Sequence, residues 1–304
     1  MDSRPDLSVV TVNYNGFGDT CRLVESLRGR LPAGSEIIVV DNGSRRDEAA
    51  LLAARYPEIT ALRSEANLGF AGGNNLGIRR SRGRYVLLLN NDALVEDDSL
   101  KYLVERLEND PRLGAVSPKI VYAAEPGRIQ FAGYTPLGRI TLRNRTYGYG
   151  EPDDGRFDVP GITAYIHGAA VMFRREAFDT AGPMPECYFL YYEELDWSER
   201  MRERGYAFGY EPRCRVLHAE SRSTGADSPL KTYYLVRNRL LFARRNPRGG
   251  ERWLSLLYQT AVAVPKTALS YALRGRWDSV RAALRGVMDF YRGRTGKMDT
   301  KRQE

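Results

Sequence analysis

Histidine and cysteine are both scarce in this chain, with two His and three Cys among 304 residues. Cys21, Cys187 and Cys214 are widely spaced, form no metal-binding pattern and cannot all pair. A reducing, cytoplasmic setting is therefore expected. The N-terminus is charged as far as Asp6 and then turns into a strand, so no secretory signal is expected. The apolar stretch Trp253–Leu273 is interrupted by Gln259, Pro265 and Lys266 and is too polar for a spanning helix. Internal repeats and low-complexity segments are absent. The Gly-rich segment Asn67–Asn75 lacks the Gly-Lys-Ser/Thr ending of a phosphate loop and the spacing of a dinucleotide fingerprint.

What is present is an ordinary globular composition, 42% hydrophobic and 28% charged, in a chain long enough for one large α/β domain with an appendage or for two smaller domains. The net charge of +8 is unevenly placed. Residues 231–304 carry 17 Lys and Arg against 5 Asp and Glu, a net of +12, and the rest of the chain nets −4. A near-neutral body with a basic tail suggests a local anionic surface, membrane or polynucleotide, or simply a solvated helix face.

Strand and helix alternate along the first half. Strands are predicted at 7–12, 36–40, 59–62 and 85–89, with helices through 21–27, 47–55, 74–81 and 98–108. This spacing of βαβ units implies a mostly parallel, doubly wound sheet. After Pro111 the rhythm changes. A strand is expected at 116–121, hairpins or a mobile loop over 128–160, and a strand at 165–173. A helix over 193–204 and a strand over 206–217 follow. From 228 onward the chain reads as helical, broken at 246–250 and at Pro265.

Polar residues cluster where these strands end. The run Tyr85-Val86-Leu87-Leu88-Leu89 stops at Asn90-Asn91-Asp92, the edge at which open α/β sheets bind ligands. Asp92 with Asn90 offers hard oxygen ligands for a divalent cation, although the same residues suit a capped turn. Asp41 ends the second strand, where an acid can bind a ribose or base edge or stabilise an Asx turn with Asn42-Gly43. The glycines of Asn67–Asn75, Gly73 among them, permit close backbone approach to a ligand at a helix start. Glu193-Glu194-Leu195-Asp196 is the densest carboxylate cluster. It suits either a helix N-terminus or a general base. His218 sits at a strand-to-loop junction, a possible ligand or a filler; His167, inside a strand, is the weaker candidate.

The joint order of these motifs resembles the family 2 glycosyltransferases of GT-A fold, especially their rhamnosyltransferase-like branch. The motifs are Asn13-Tyr14-Asn15-Gly16, Val40-Asp41-Asn42-Gly43-Ser44, Asn67 through Asn75, Asn90-Asn91-Asp92, Glu193-Glu194-Leu195-Asp196 and His218 through Ser223. The likeness covers roughly residues 7–245. It implies a Rossmann-like GT-A domain over 1–245, with helices on both sheet faces. A basic, amphipathic helical tail over 246–304 would follow. Asp41 and Asn13, with Asn67, Gly73, Asn90 and Asn91, would bind a nucleoside-diphosphate-sugar, dTDP-rhamnose by preference and otherwise a UDP-sugar. Asp92 and His218 would hold Mg2+ or Mn2+. Glu194 would be the catalytic base of an inverting transfer. Glu193, Arg237 and Asn238 would touch the acceptor or the diphosphate. The chain departs from the family at Asn90, which replaces the first acid of the metal motif, and at Glu194, where Asp is commoner.

The tail, flanked by Arg244, Arg245, Arg248, Arg252, Arg274 and Arg276, fits an interfacial helix on anionic lipid or a helix docked on the body or on a partner chain. The implied partners are a nucleotide-sugar donor, a glycan or polyprenyl-linked acceptor and an anionic membrane surface, with a homo-oligomer also possible and no nucleic acid. The implied place is the inner face of the cell membrane. Two other classes remain open: a sugar-phosphate nucleotidyltransferase, and a nucleotide-sugar-binding protein without turnover.

Overall fold

The structure, a computed structural model, describes residues 6–219 and 228–299. The Glu220–Ser223 part of the last motif lies outside the described residues. The chain opens with β1 (Leu7–Asn13), α1 (Phe17–Leu27), β2 (Glu36–Asn42), α2 (Glu48–Arg55), β3 (Thr60–Ser64), α3 (Gly69–Arg80) and β4 (Tyr85–Leu89). It continues with β5 (Ala93–Val95), α4 (Leu100–Asn109), β6 (Leu113–Tyr122), β7 (Ile129–Phe131), β8 (Gly161–Thr163) and β9 (Ala170–Arg174). Then come α5 (Arg175–Ala181), α6 (Glu193–Glu203), β10 (Ala207–His218), α7 (Pro229–Arg245), α8 (Gly249–Tyr258), α9 (Val264–Leu273) and α10 (Trp277–Tyr291).

The sheet runs β3-β2-β1-β4-β9-β6-β10-β5, with β7 added to β6 and β8 to β10. The block β3-β2-β1-β4 is wholly parallel, and β6 lies parallel to β10. Between these parallel parts β9 runs antiparallel to both β4 and β6. The chain winds outward from β1 to β3 and then returns to place β4 on the other side of β1. That reversal opens a crevice at the carboxyl ends of β1 and β4.

Side chains of the central strands alternate between two cores. Val9, Val39 and Leu87 face α1, α2 and α4, packing against Leu23, Leu52 and Leu103. Val10, Ile38, Val40 and Leu88 face α3, α5 and α6, packing against Ile78, Ala177 and Trp197. Two-sided burial explains why these strands read as unbroken apolar runs, each such side chain contributing roughly 1.5–3 kcal/mol of transfer free energy. Helix α3 begins earlier than the 74–81 pattern suggests, because its glycines are helical. Gly77 and Gly73 let it settle on β1, where a Cβ would come within 2.4 Å of Val10 Cγ1 and 2.9 Å of Val12 Cγ1.

Two further expectations need correction. Pro265 does not break the helix: a π-helical turn over Gln259–Ala263 precedes it, and the backbone stays helical from α8 into α9. The wider turn accommodates a residue without an N–H. The strand expected at 165–173 begins only at Ala170, so Tyr165–Ala169 is free to turn His167 and Gly168 toward the crevice. Strands β5, β7 and β8 had no sequence signature, each being three residues long. Segment 128–160 does return on itself, through bridges Arg128–Pro152 and Tyr134–Thr146. Lys119 of β6 holds its far end by pairing with Asp153 (2.7 Å) and Asp158.

The tail helices pack on the body. Helix α10 lies along α7, and Ser255 and Gln259 donate to the carbonyls of Ile140 and Thr141. Their outer side keeps Trp253, Leu257, Leu269, Leu273 and Trp277 exposed. Among the described residues no helix is long and apolar enough to cross a membrane.

Candidate active site

The carboxyl ends of β1, β2 and β4 meet over a cleft of about 430 Å³. Alternation along each strand decides what faces it. On β2, Asp41 points to the α2 side and Asn42 to the α3 side. Asp41 is fully buried; it accepts from Ser44 N (3.2 Å), Glu48 N (3.2 Å), Asn13 Nδ2 (3.4 Å) and Arg63 Nη1 (3.4 Å). Asn13, also buried, donates to Glu48 Oε2 (2.8 Å) and accepts from Thr20 Oγ1 (2.8 Å). This network shapes the turns after β1 and β2 from beneath, and neither Asn13 nor Asp41 lines the cleft. Asn42 does. It donates to Gly69 O (3.0 Å) and accepts from Leu68 N (3.0 Å), tying the cleft wall to Asn67, which also lines it. Gly73 lies within α3 against Val12 and away from the opening.

Asn90, Asn91 and Asp92 line the cleft together with His218. The sequence separation is bridged by β5, which starts immediately after Asp92 and pairs antiparallel with the end of β10, Ala93 opposite His218. His218 Nε2 therefore lies 3.2 Å from Asp92 Oδ1. On the other side of the ring, Nδ1 lies 2.8 Å from Oε1 of buried Gln130. A proton on Nδ1 donates to that oxygen, and Nε2 then accepts from Asn90 Nδ2 (3.2 Å) and presents its lone pair beside Asp92. An imidazole oriented through its second nitrogen in this way is arranged as a metal ligand. Gln130 was not legible as a site residue, because it sits on the three-residue strand β7 in an irregular region.

The second histidine, His167, also lines the cleft, stacked on Tyr134 with ring centroids 5.9 Å apart. Burial, and then His218, hold its pKa down to about 3. It is a neutral wall residue whose Nδ1 accepts from Ala169 N.

Glu193 and Glu194 begin α6 and both face the cleft. Glu193 is only 2% exposed, and its Oε2 has no protein partner. Burial, and then the charge of Glu194, push its pKa well above the usual carboxyl value. Glu194 is half-buried, and burial raises it too. Glu193 is the more deeply buried of the two, so a negative charge on the pair is better solvated on Glu194. Two carboxyls so placed can supply one base and one neutral acid. Arg237 and Asn238 do not line the cleft. They are buried behind the acid pair and bond the carbonyls of Tyr188, Leu190 and Tyr191, so the expected diphosphate or acceptor contact gives way to a supporting place.

The model of Glycosyl transferase family 2 matches residues 8–182. A low-salt glycan biosynthesis hexosyltransferase, Agl10 of Haloferax volcanii, is 26% identical over 96% of this chain and 93% of its own length. An N-acetylglucosaminyl-diphospho-decaprenol L-rhamnosyltransferase of Mycobacterium tuberculosis is 28% identical over 73% of this chain and 78% of its own. Among solved structures, GalNAc-T7 with UDP, GalNAc and Mn2+ superposes with a TM-score of 0.61 at 18% identity, over 84% of this chain and 54% of that one. The mannosyltransferase PcManGT from Pyrobaculum calidifontis, in complex with GDP-Man and Mn2+, gives 0.57 at 17%, over 97% and 77%. These two share the GT-A-like fold. With the family model covering more than half of the chain, this protein belongs to glycosyl transferase family 2.

Proposed function

We propose that this glycosyltransferase is an inverting, cation-dependent enzyme of cell-envelope glycan synthesis. It would move a sugar from a nucleoside diphosphate to a hydroxyl of a lipid-linked or polysaccharide acceptor. One observation carries this reading: Asp92 with His218, and Glu193 with Glu194, face one cleft at the carboxyl edge of the sheet. Among the described residues no three or more His, Cys, Asp or Glu converge so that they could hold a metal ion by themselves, so a cation here would complete its shell with substrate oxygens and water, as Mg2+ commonly does. The donor set fits: a carboxylate oxygen and an imidazole lone pair converge, and both tolerate Mg2+ or Mn2+. Bound there, the ion would neutralise charge on the leaving diphosphate. Asn42, Asn67 and Tyr14 would contact the nucleotide, with Asp41 and Asn13 holding the wall behind them. Glu194 takes the proton of the acceptor hydroxyl as that oxygen attacks the anomeric carbon. Neutral Glu193 donates a hydrogen bond to a sugar hydroxyl. A single displacement with one base inverts the anomeric configuration.

The rhamnosyltransferase among the relatives favours dTDP-rhamnose as donor and a polyprenyl-diphosphate glycan as acceptor, with UDP-sugars the alternative. Leu273, 80% exposed, Trp253, 71%, and Trp277, 61%, project from a region with net charge +12, and this supports docking on an anionic membrane face. The test is a thermal-shift screen of nucleotide-sugars with and without Mn2+. A ligand at 100 times its Kd stabilises by about 2.7 kcal/mol. The true donor should do so only with metal, Asp92→Ala should abolish the effect, and Glu194→Gln should keep it while losing transfer. Equal stabilisation without metal and in Asp92→Ala would sink the cation role. Metal-dependent binding with no transfer in the wild type would favour a non-catalytic binding protein. The family match sets aside the nucleotidyltransferase alternative.

A further inference from the structure

The turn that delivers the acid pair is strained. Phe189, Tyr191 and Tyr192 have φ of 66°, 68° and 78°, a left-handed region that L side chains avoid. Such a turn persists only where its surroundings over-determine it. Here the restraint comes from behind. Asn238 shares its Nδ2 hydrogens among the carbonyls of Tyr188 (3.0 Å), Leu190 (2.7 Å) and Tyr191 (2.9 Å). Arg237, 1% exposed, donates from Nη2 to Tyr188 O (2.7 Å) and from Nη1 to Gly296 O (2.7 Å). Gly296 N in turn donates to Cys187 O (2.7 Å), and Met298 N to the Tyr234 hydroxyl (2.9 Å). One guanidinium thus bridges the turn and the C-terminal segment, a task that suits its planar fork.

Helix α10 seats that segment. Its Gly286 approaches α7 so closely that a Cβ would lie 2.9 Å from Tyr233 O. Asp289 accepts from the Tyr233 hydroxyl (2.9 Å) and pairs with Arg294 (3.0 Å).

We infer that Gly293–Asp299 is a positioning strap of the active site, holding Arg237 and, through it, the strained turn that aims Glu193 and Glu194. Without Gly296 O, the buried Arg237 guanidinium loses the acceptor that ties it to the C-terminal segment. Arg237 then turns away from Tyr188 O, and the turn relaxes toward ordinary φ. Asp92 and His218, on other elements, are untouched by this change. The kinetic consequence rests on the reading of Glu194 as base; the structural one does not.

The test uses the full chain with Gly296→Pro, which removes the N–H and cannot adopt φ +71°. Arg237→Lys keeps the charge without the fork, and Lys297→Ala, an exposed strap residue, is the control. Amide exchange over 187–195 should quicken about tenfold in the first two and stay unchanged in the control. The kcat for the donor found by thermal shift should fall about 10- to 100-fold, as for a misplaced catalytic group. KM for that donor, and binding of UDP with Mn2+, should hold within about twofold, because these sites do not contact the strap. Unchanged exchange across the turn in Gly296→Pro, or an increase spread equally over the β-sheet, overturns the inference. If strap-dependent exchange is seen while Glu194→Gln retains full transfer, the base assignment fails and the strap stands.

Discussion

Replacing Gln130 by leucine removes the acceptor that orients His218. It should weaken divalent-cation binding by about 10- to 100-fold, the usual consequence of losing a ligand's orienting partner. That range corresponds to about 1.4–2.8 kcal/mol. The structure gives the magnitude its reason. Gln130 is 4% exposed, and its Oε1 lies 2.8 Å from His218 Nδ1, so a leucine of similar volume leaves no room for water to substitute. The ring then has two options. It can keep its proton on Nδ1 with no acceptor, at a cost of about 1–3 kcal/mol for a buried unpaired donor. Alternatively it can move the proton to Nε2 and donate to Asp92 Oδ1 3.2 Å away, engaging both proposed cation ligands with each other. Either course penalises the form that binds metal. The assay is calorimetric titration of Mn2+ in saturating UDP, with Tm as a check on folding. Gln130→Glu, which keeps an acceptor at that point, should retain the affinity. Wild-type Mn2+ affinity in a well-folded Gln130→Leu would refute the reasoning, because His218 would then not be a ligand set by this contact.

Other consequences follow from the same geometry. Because the folded-state pKa of Glu193 is raised above its ordinary value of 4.5, its contribution to stability is fully present below that value and is lost as pH rises through the folded pKa. Glu193→Gln should therefore raise Tm relative to wild type at neutral pH, by roughly 1.5 °C for each kcal/mol recovered. The gain should vanish in acid, and a gain of equal size at every pH would contradict the assignment. Gly69 has φ +75°, and a Cβ there would lie 2.2 Å from Phe189 O. Gly69→Ala should cost at least about 1–3 kcal/mol, seen as a lowered denaturation midpoint, and should slow transfer by displacing the acid turn; an unaltered midpoint would count against this packing. Trp253→Ser with Trp277→Ser should reduce binding to phosphatidylglycerol vesicles by at least about tenfold, leaving the exposed leucines and the salt-sensitive basic attraction. Cosedimentation equal to wild type would remove the proposed lipid face.

Much of the N-terminal half was legible because its signals are local. The apolar strands β1, β2 and β4 and the polar residues closing them lie within short windows, and alternation between strand and helix follows from the same windows. The acid pair at the start of α6 was legible for the same reason. Legibility failed where the deciding partner was distant. Asp41 and Asn42 are adjacent in the chain, yet opposite faces of the strand send the first into a buried network and the second to the cleft. The glycines of Asn67–Asn75 suggested a ligand cradle, and for Gly73 the real neighbour is Val12 of β1. Pro265 suggested a break that a π turn absorbs.

By itself, then, the sequence determined the family, the order of the strands' polar ends and the residue types able to bind a cation and take a proton. Tertiary structure alone decided which of those residues meet. The three-residue strand β5 sets His218 opposite Ala93 and so beside Asp92, Gln130 orients the ring, and Arg237 and Asn238 support the acid turn from outside the cleft. The physical reason is the range of the forces involved. Periodicity and turn chemistry act over a few residues, whereas register across a sheet and satisfaction of buried donors are settled only when segments far apart in the chain pack together.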